Sequence, residues 1–167
     1  MVKSSAGKPS ARGAAPAAAA LGPPRGCTNL KLRQLTRRVS QHYDRIVGAA
    51  GLKTTQYSLL SYVTRLGPIR PGEIAEAMEM DASTLTRNLQ PLVANGWIEV
   101  GPGPDGRSRF VTATPAGREK HAEAARQWKR AQLALNARLG EERVAELHAL
   151  LDECLATIND TEESAVG

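Results

Sequence analysis

Residues 71–117 read PGEIAEAMEMDASTLTRNLQPLVANGWIEVGPGPDGRSRFVTATPAG, and this stretch decides the fold. Pro71, Ile74, Ala75 and Met78 keep apolar side chains on one face of a short helix. Asp81 offers an N-cap to a second helix, Ala82 to Ala94, in which Leu85, Leu89, Leu92 and Val93 face inward. Ser83, Thr84, Thr86, Arg87 and Gln90 then fall largely outside the apolar stripe, as side chains suited to base edges and phosphates. Pro91 removes one backbone hydrogen bond near the last turns of that helix. Gly96 ends it, and Trp97–Val100 with Arg109–Thr112 form a hairpin around residues 101–108. The pattern predicts a winged helix-turn-helix, and it makes double-stranded DNA the first partner to test.

Working outward, Leu32, Leu35, Val39, Tyr43 and Ile46 recur at helical spacing between Thr28 and Val47, and Gly48 and Gly51 break that helix. A further helix spans about Thr55 to Leu66 and is stopped by Gly67-Pro68. Ile69-Arg70 can pair with the hairpin as a third small strand. Thr114-Pro115 is a strong helix start, with Thr as cap and Pro at the first helical position. Ala124, Trp128, Ala131, Leu135 and Leu139 stripe the long helix that follows. Glu141 and Glu142 open a last helix striped by Val144, Leu147, Leu151, Cys154, Leu155 and Ile158. Two amphipathic helices beyond a complete winged domain need a partner surface, and a second copy of the chain supplies it. The fold class is mainly α with a small β ribbon (α+β). Residues 53–114 form the DNA-binding lobe, and helices within 27–47 and 115–160 form a dimerisation region.

Apolar residues are 41% and charged residues 23% of the 167, ordinary for a globular chain long enough to bury a core. The net charge of +5 is less telling than it looks. Lys3, Lys8, Arg12 and Arg25 lie in residues 1–26 without an acid, so the rest carries only +1. A few placed arginines must therefore do any DNA binding, with an Ala/Pro/Gly-rich basic tail over 1–26 read as disordered. The tail's apolar run is alanine-rich and broken by Pro16, unlike a secretory signal, and no run approaches the ~18–20 residues of a membrane span. Cys27 and Cys154 are too few and too far apart for a disulfide framework or metal site, which fits a reducing cytoplasm. No nucleophile elbow, phosphate-binding glycine loop or Cys/His cluster is present, so neither an enzyme nor a cofactor is expected.

The chain resembles the MarR family, the multiple antibiotic resistance regulators. Gly51-Leu52 with Gln56-Tyr57 is similar to that family's junction between its first two helices. Ser83-Thr84-Leu85-Thr86-Arg87, followed by Leu89, Leu92 and Gly96, is similar to its recognition helix. Asp105-Gly106-Arg107-Ser108-Arg109, then Thr114-Pro115-Ala116-Gly117, resembles its wing and the start of its dimer helix. The resemblance covers about residues 28–160. It implies a homodimeric repressor on an inverted-repeat operator, with Arg107 at the wing tip in a minor groove, where a guanidinium meets strong negative potential. Asp105 would orient a wing arginine. Ser83, Thr84 and Thr86 would meet phosphates or thymine methyls, and Arg87, Gln90 and Arg109 bases or backbone.

The same resemblance implies release by a small aromatic or heteroaromatic carboxylate, for which Arg33, Arg38, His42 and Tyr43 offer charge and hydrogen bonds. His42 reads equally as a hydrogen-bonded interfacial residue. Two other readings stay open. One branch of the family senses peroxide through a cysteine early in the first helix. Cys27 lies near that position, but the position itself falls on Asn29, and of the two supporting tyrosines only Tyr43 is matched, the other being Thr54. A winged dimer serving protein interaction alone is the last alternative. His121 and His148 lack carboxylate or cysteine partners at ligand spacing and are read as surface or interface residues. Trp97, Phe110 and Trp128 are read as packing residues.

Overall fold

A computed structural model describes residues 25–103 and 108–165, with side chains as far as residue 158 in the last helix. Expectations for the tail therefore lie almost wholly outside the described residues, as do those for Asp105 and Arg107. The chain runs α1 (Thr28–Val47), a 3-10 turn (Gly48–Ala50), α2 (Thr54–Leu66), α3 (Pro71–Ala77), α4 (Ala82–Ala94), β1 (Ile98–Pro102), β2 (Arg109–Ala113), α5 (Pro115–Leu139) and α6 (Glu141–Ala165).

Local chemistry accounts for the boundaries. Gly51 adopts φ +73° after the 3-10 turn, a left-handed conformation that favours glycine. The Thr54 N–H donates to Asp44 Oδ1 at 2.8 Å, which fastens the start of α2 to the end of α1. At α5, Thr114 Oγ1 accepts from the Gly117 N–H at 3.0 Å and Pro115 occupies the first turn. Pro91 is carried inside α4, where its carbonyl accepts from both the Asn95 N–H and Nδ2 at 3.1 and 2.7 Å.

β1 and β2 pair antiparallel in the register Ile98 with Ala113, Val100 with Val111 and Pro102 with Arg109. The third strand expected at Ile69-Arg70 shrinks to one bridge, in which Ile69 and Val111 exchange backbone hydrogen bonds at 3.1 and 2.8 Å. Arg70 leaves the sheet because its N–H binds Glu73 Oε2 at 3.0 Å, which makes it the first cap of α3.

The core lies under the winged lobe, where Val47, Leu52, Leu59, Leu60, Val63, Ile74, Leu85, Leu92, Ile98 and Val111 are all but inaccessible. Val93 departs from expectation at 43% exposed. At about 100° per residue it stands at the edge of the stripe centred on Leu85, Leu89 and Leu92, beyond what the neighbouring elements cover. Outside the lobe the picture reverses. Leu30 and Leu32 on α1, Leu133 on α5, and Leu150, Leu155 and Ile158 on α6 each expose roughly half their surface.

Candidate nucleic-acid interface and anion groove

The outward face of α4 is organised by its cap. Asp81 Oδ1 accepts from the Thr84 N–H at 2.7 Å and from Ser83 Oγ at 2.6 Å, while Oδ2 accepts from Thr84 Oγ1 at 2.7 Å. The hydroxyl bonds from Ser83 and Thr84, then the Thr84 amide, hold the Asp81 carboxyl well below the usual carboxylate range. It is therefore ionised at neutral pH, as suits the positive end of a helix. Thr86 Oγ1 donates to the Ala82 carbonyl at 2.8 Å, so its methyl is left for outside contact. Arg87 and Gln90 are exposed, and among the described residues their side chains make no hydrogen bond. Asn88, which sequence reasoning passed over, turns inward with Nδ2 4.0 Å from Met80 Sδ, in the turn before α4.

Beside this helix stands the ribbon. The Gly103 N–H donates to the Ser108 carbonyl at 2.7 Å, so the strands stay paired to the base of the wing tip. Arg109 is exposed at the start of β2. Phe110 is covered by Arg70, whose guanidinium carbon lies 5.5 Å from the ring centroid. That contact adds a cation to the ribbon which no local motif announces, because Arg70 precedes Phe110 by forty residues.

The four residues considered for an effector do not converge. Arg33 lines a broad groove of about 720 Å³ at the start of α1, with Cys27 and Arg37. Tyr43 is buried and its hydroxyl donates to Gln132 Oε1; burial pushes its pKa up. Tyr43 also begins a run of rings, 6.2 Å from Trp128, which lies 6.1 Å from Tyr57, which stacks on His121 at 5.7 Å. His121 thus packs within one protomer, between α2 and α5, rather than standing as a bare surface residue.

Arg38 and His42 do meet, and they acquire company. Arg38, His42, Arg45 and Arg138 line a groove of about 450 Å³ between α1 and α5, over apolar Leu35, Val39, Leu135 and Leu139. No carboxylate lines it. His42 Nε2 stands 2.9 Å from the Ala131 carbonyl, which can only accept, so Nε2 carries the proton. Nδ1 then presents a lone pair to Arg45 Nη2 at 3.5 Å. With both nitrogens engaged, His42 helps to orient Arg45. Among the described residues the ion pair seen is Lys120–Glu123, so Arg38, Arg45 and Arg138 are unpaired there. No group of three or more His, Cys, Asp or Glu side chains among the described residues could hold a metal ion, and no helix there is long and apolar enough to cross a membrane.

Comparison with known proteins agrees with this geometry. Residues 50–108 match the model of the MarR family. The multiple antibiotic resistance protein MarR of Salmonella typhimurium is 33% identical over 93 residues, covering 53% of this chain and 65% of that protein. The matched stretch thus spans just under two thirds of that relative. The M. tuberculosis transcriptional regulator MosR superposes with a TM-score of 0.66 at 26% identity, covering 80% of this chain and 98% of that one. MosR in complex with DNA superposes with a TM-score of 0.61 at 28% identity, covering 77% and 98%.

Proposed function

We propose that the chain is a MarR-family transcriptional regulator, a homodimeric repressor of an inverted-repeat operator that is released by a small aromatic or heteroaromatic carboxylate. One observation carries the DNA reading. The face of α4 bearing Ser83, Thr86, Arg87 and Gln90 is exposed, capped and rigidly seated on Leu85, Leu89 and Leu92, beside a ribbon bearing Arg109. A relative of the same fold, MosR, has been crystallised with DNA. Phosphate contacts position such a helix and base contacts specify its site, so arginine and glutamine reaching from one face can do both.

In this reading residues 53–114 are the DNA-binding lobe, and the helices within 27–47 and 115–160 join two copies. The half-exposed leucines of α1, α5 and α6 support that division, since their burial against a second chain removes apolar surface from water. Two recognition helices must then stand one turn of DNA apart, ~34–36 Å. An effector that binds better to another spacing draws the population away from the DNA-competent state. The α1–α5 groove suits an anionic ring. Its leucines and Val39 take the apolar body, and three guanidiniums satisfy a carboxylate that would be very costly to bury unpaired. In this reading the protein acts by binding, in the cytoplasm.

The test is titration of fluorescent operator DNA at fixed salt, followed by addition of salicylate as a probe aromatic acid. Binding of one dimer per operator, reversed by the probe, supports the reading. Failure to bind any DNA at low salt leaves only the interaction dimer. Cys27 is exposed at the start of α1, and a thiol switch replaces the effector if Cys27→Ser abolishes release by oxidant while the aromatic acid does nothing.

A further inference from the structure

The three hydrogen bonds at Asp81 constrain what α4 can read. Ser83 and Thr84 each have one hydroxyl proton, and each directs it to an Asp81 oxygen, at 2.6 and 2.7 Å. These are charge-assisted bonds to a carboxylate that stays ionised at neutral pH. What the hydroxyls show to the outside is therefore lone pairs. A phosphate oxygen also offers only lone pairs, and the Asp81 charge beside it adds repulsion. The family resemblance implies phosphates or thymine methyls as partners of Ser83 and Thr84, but a phosphate contact would require giving up the bonds to Asp81.

In the major groove the partner for an acceptor is an exocyclic amine, adenine N6 or cytosine N4; guanine O6 and thymine O4 present acceptors instead. We propose that Asp81 sets the polarity of operator reading: by holding the hydroxyl protons of Ser83 and Thr84, it makes both side chains acceptors that select amino bases over keto bases. This rests on the repressor reading above. Arg87 and Gln90, free of such constraint, supply the donor contacts. Asp81 touches no base in this scheme and is a positioning residue.

Two variants separate this role from simple capping. Asn caps helices about as well as Asp, so Asp81→Asn preserves α4. Its Oδ1 can keep the Thr84 amide and Ser83, while Nδ2 replaces Oδ2 opposite Thr84 Oγ1. An amide nitrogen donates, so the Thr84 hydroxyl must turn its proton outward. Ser83→Ala deletes the other acceptor and leaves the cap bond from the Thr84 amide in place.

The experiment is selection from a randomised operator library by the full-length protein and by both variants, with circular dichroism to confirm helix content. The wild type should favour A or C over G or T at one or two positions of each half-site, by about 3–10-fold, the worth of one hydrogen bond. Ser83→Ala should lose that preference at one position only. Asp81→Asn should relax or reverse it at a neighbouring position, with overall affinity unchanged or higher. Identical motifs from all three proteins, or a uniform loss of affinity in Asp81→Asn with every preference kept, overturns the inference while leaving the repressor reading intact. Should Asp81→Asn not fold, the Ser83→Ala motif decides alone. A wild type that enriches no sequence overturns the repressor reading, and this inference with it.

Discussion

The carbonyl oxygen of Trp97 lies 1.9 Å from where a Cβ on Gly117 would stand. The first turn of α5 is thus laid directly on the backbone that follows α4. Thr114 Oγ1 donates to the Gly96 carbonyl at 2.7 Å, and Lys120 Nζ sits 5.5 Å from the Trp97 ring centroid while donating to the Ala50 carbonyl at 3.3 Å. These contacts tie the start of α5 to the end of α4. Neither backbone can yield alone, so Gly117→Ala should destabilise by ~1–3 kcal/mol, the usual range for overpacking. Urea denaturation measures it directly, and an unchanged midpoint would contradict the close approach.

His121 makes stability depend on pH in a defined direction. Burial first, and then the nearby Arg65, push its pKa below the ordinary 6.5, and its ring is stacked on Tyr57. The folded state therefore prefers the neutral ring. Below pH 6.5 the unfolded chain takes up the proton first, so stability is full above that value and falls as pH drops through the depressed pKa. His121→Phe keeps a stacking ring without a titrating group. Its denaturation midpoint should fall less than the wild type's between about pH 7.5 and about pH 5.5, and parallel profiles would remove His121 as the cause.

Much of this architecture is legible because its signals are local. Asp81 before an apolar stripe, and Thr114-Pro115 before another, are caps whose partners lie three residues away. The arginine-lined groove is not local. Arg45 and Arg138 come together because α1 and α5 pack side by side, a relationship marked by the His42–Ala131 bond across 89 residues. Periodicity shows that a helix has an apolar face, but not which polar residues line the seam once that face is covered. The same limit hid the inward turn of Asn88, since an amide on a helix looks exposed until the preceding turn brings Met80 against it. The hydroxyl polarity at Asp81 lies between these cases. Its spacing is visible in the sequence, but its meaning needs the bond geometry.

Arginine in the wing should contribute affinity by a route separate from α4. Arg107→Ala should weaken operator binding by ~1–3 kcal/mol with the dimer intact, and Arg87→Ala by a similar amount with altered base preference. Anisotropy titrations at one salt concentration, on operator and on scrambled DNA, distinguish the two. Unchanged affinity in Arg107→Ala would exclude that residue from the interface.

Residues 141–167 include α6, which leaves Leu150, Leu155 and Ile158 more than half exposed on a lone protomer. If these side chains are buried between copies, a chain ending at Gly140 loses the pair and exposes apolar surface on α1 and α5 as well. Sedimentation velocity should show a monomer or aggregates. A stable dimer after truncation would place the interface elsewhere.

The proposal of an effector in the α1–α5 groove makes the most discriminating prediction, because the geometry ranks the candidate arginines. Arg38, Arg45 and Arg138 share one groove with an apolar floor, whereas Arg33 lines another. A carboxylate held there gains charge-assisted bonds from guanidinium groups that have no acidic partner among the described residues. Arg45→Ala and Arg138→Ala should therefore bind operator like the wild type yet need about tenfold more salicylate for release, the consequence of losing ~1.4 kcal/mol of ligand binding. Arg33→Ala should respond like the wild type. His42→Gln should fall between, since its effect passes through the orientation of Arg45 across a 3.5 Å contact. If Arg33→Ala alone raises the effector requirement, the ligand lies at the start of α1 beside Cys27. If no variant does so while release persists, the α1–α5 groove is not the site of the signal.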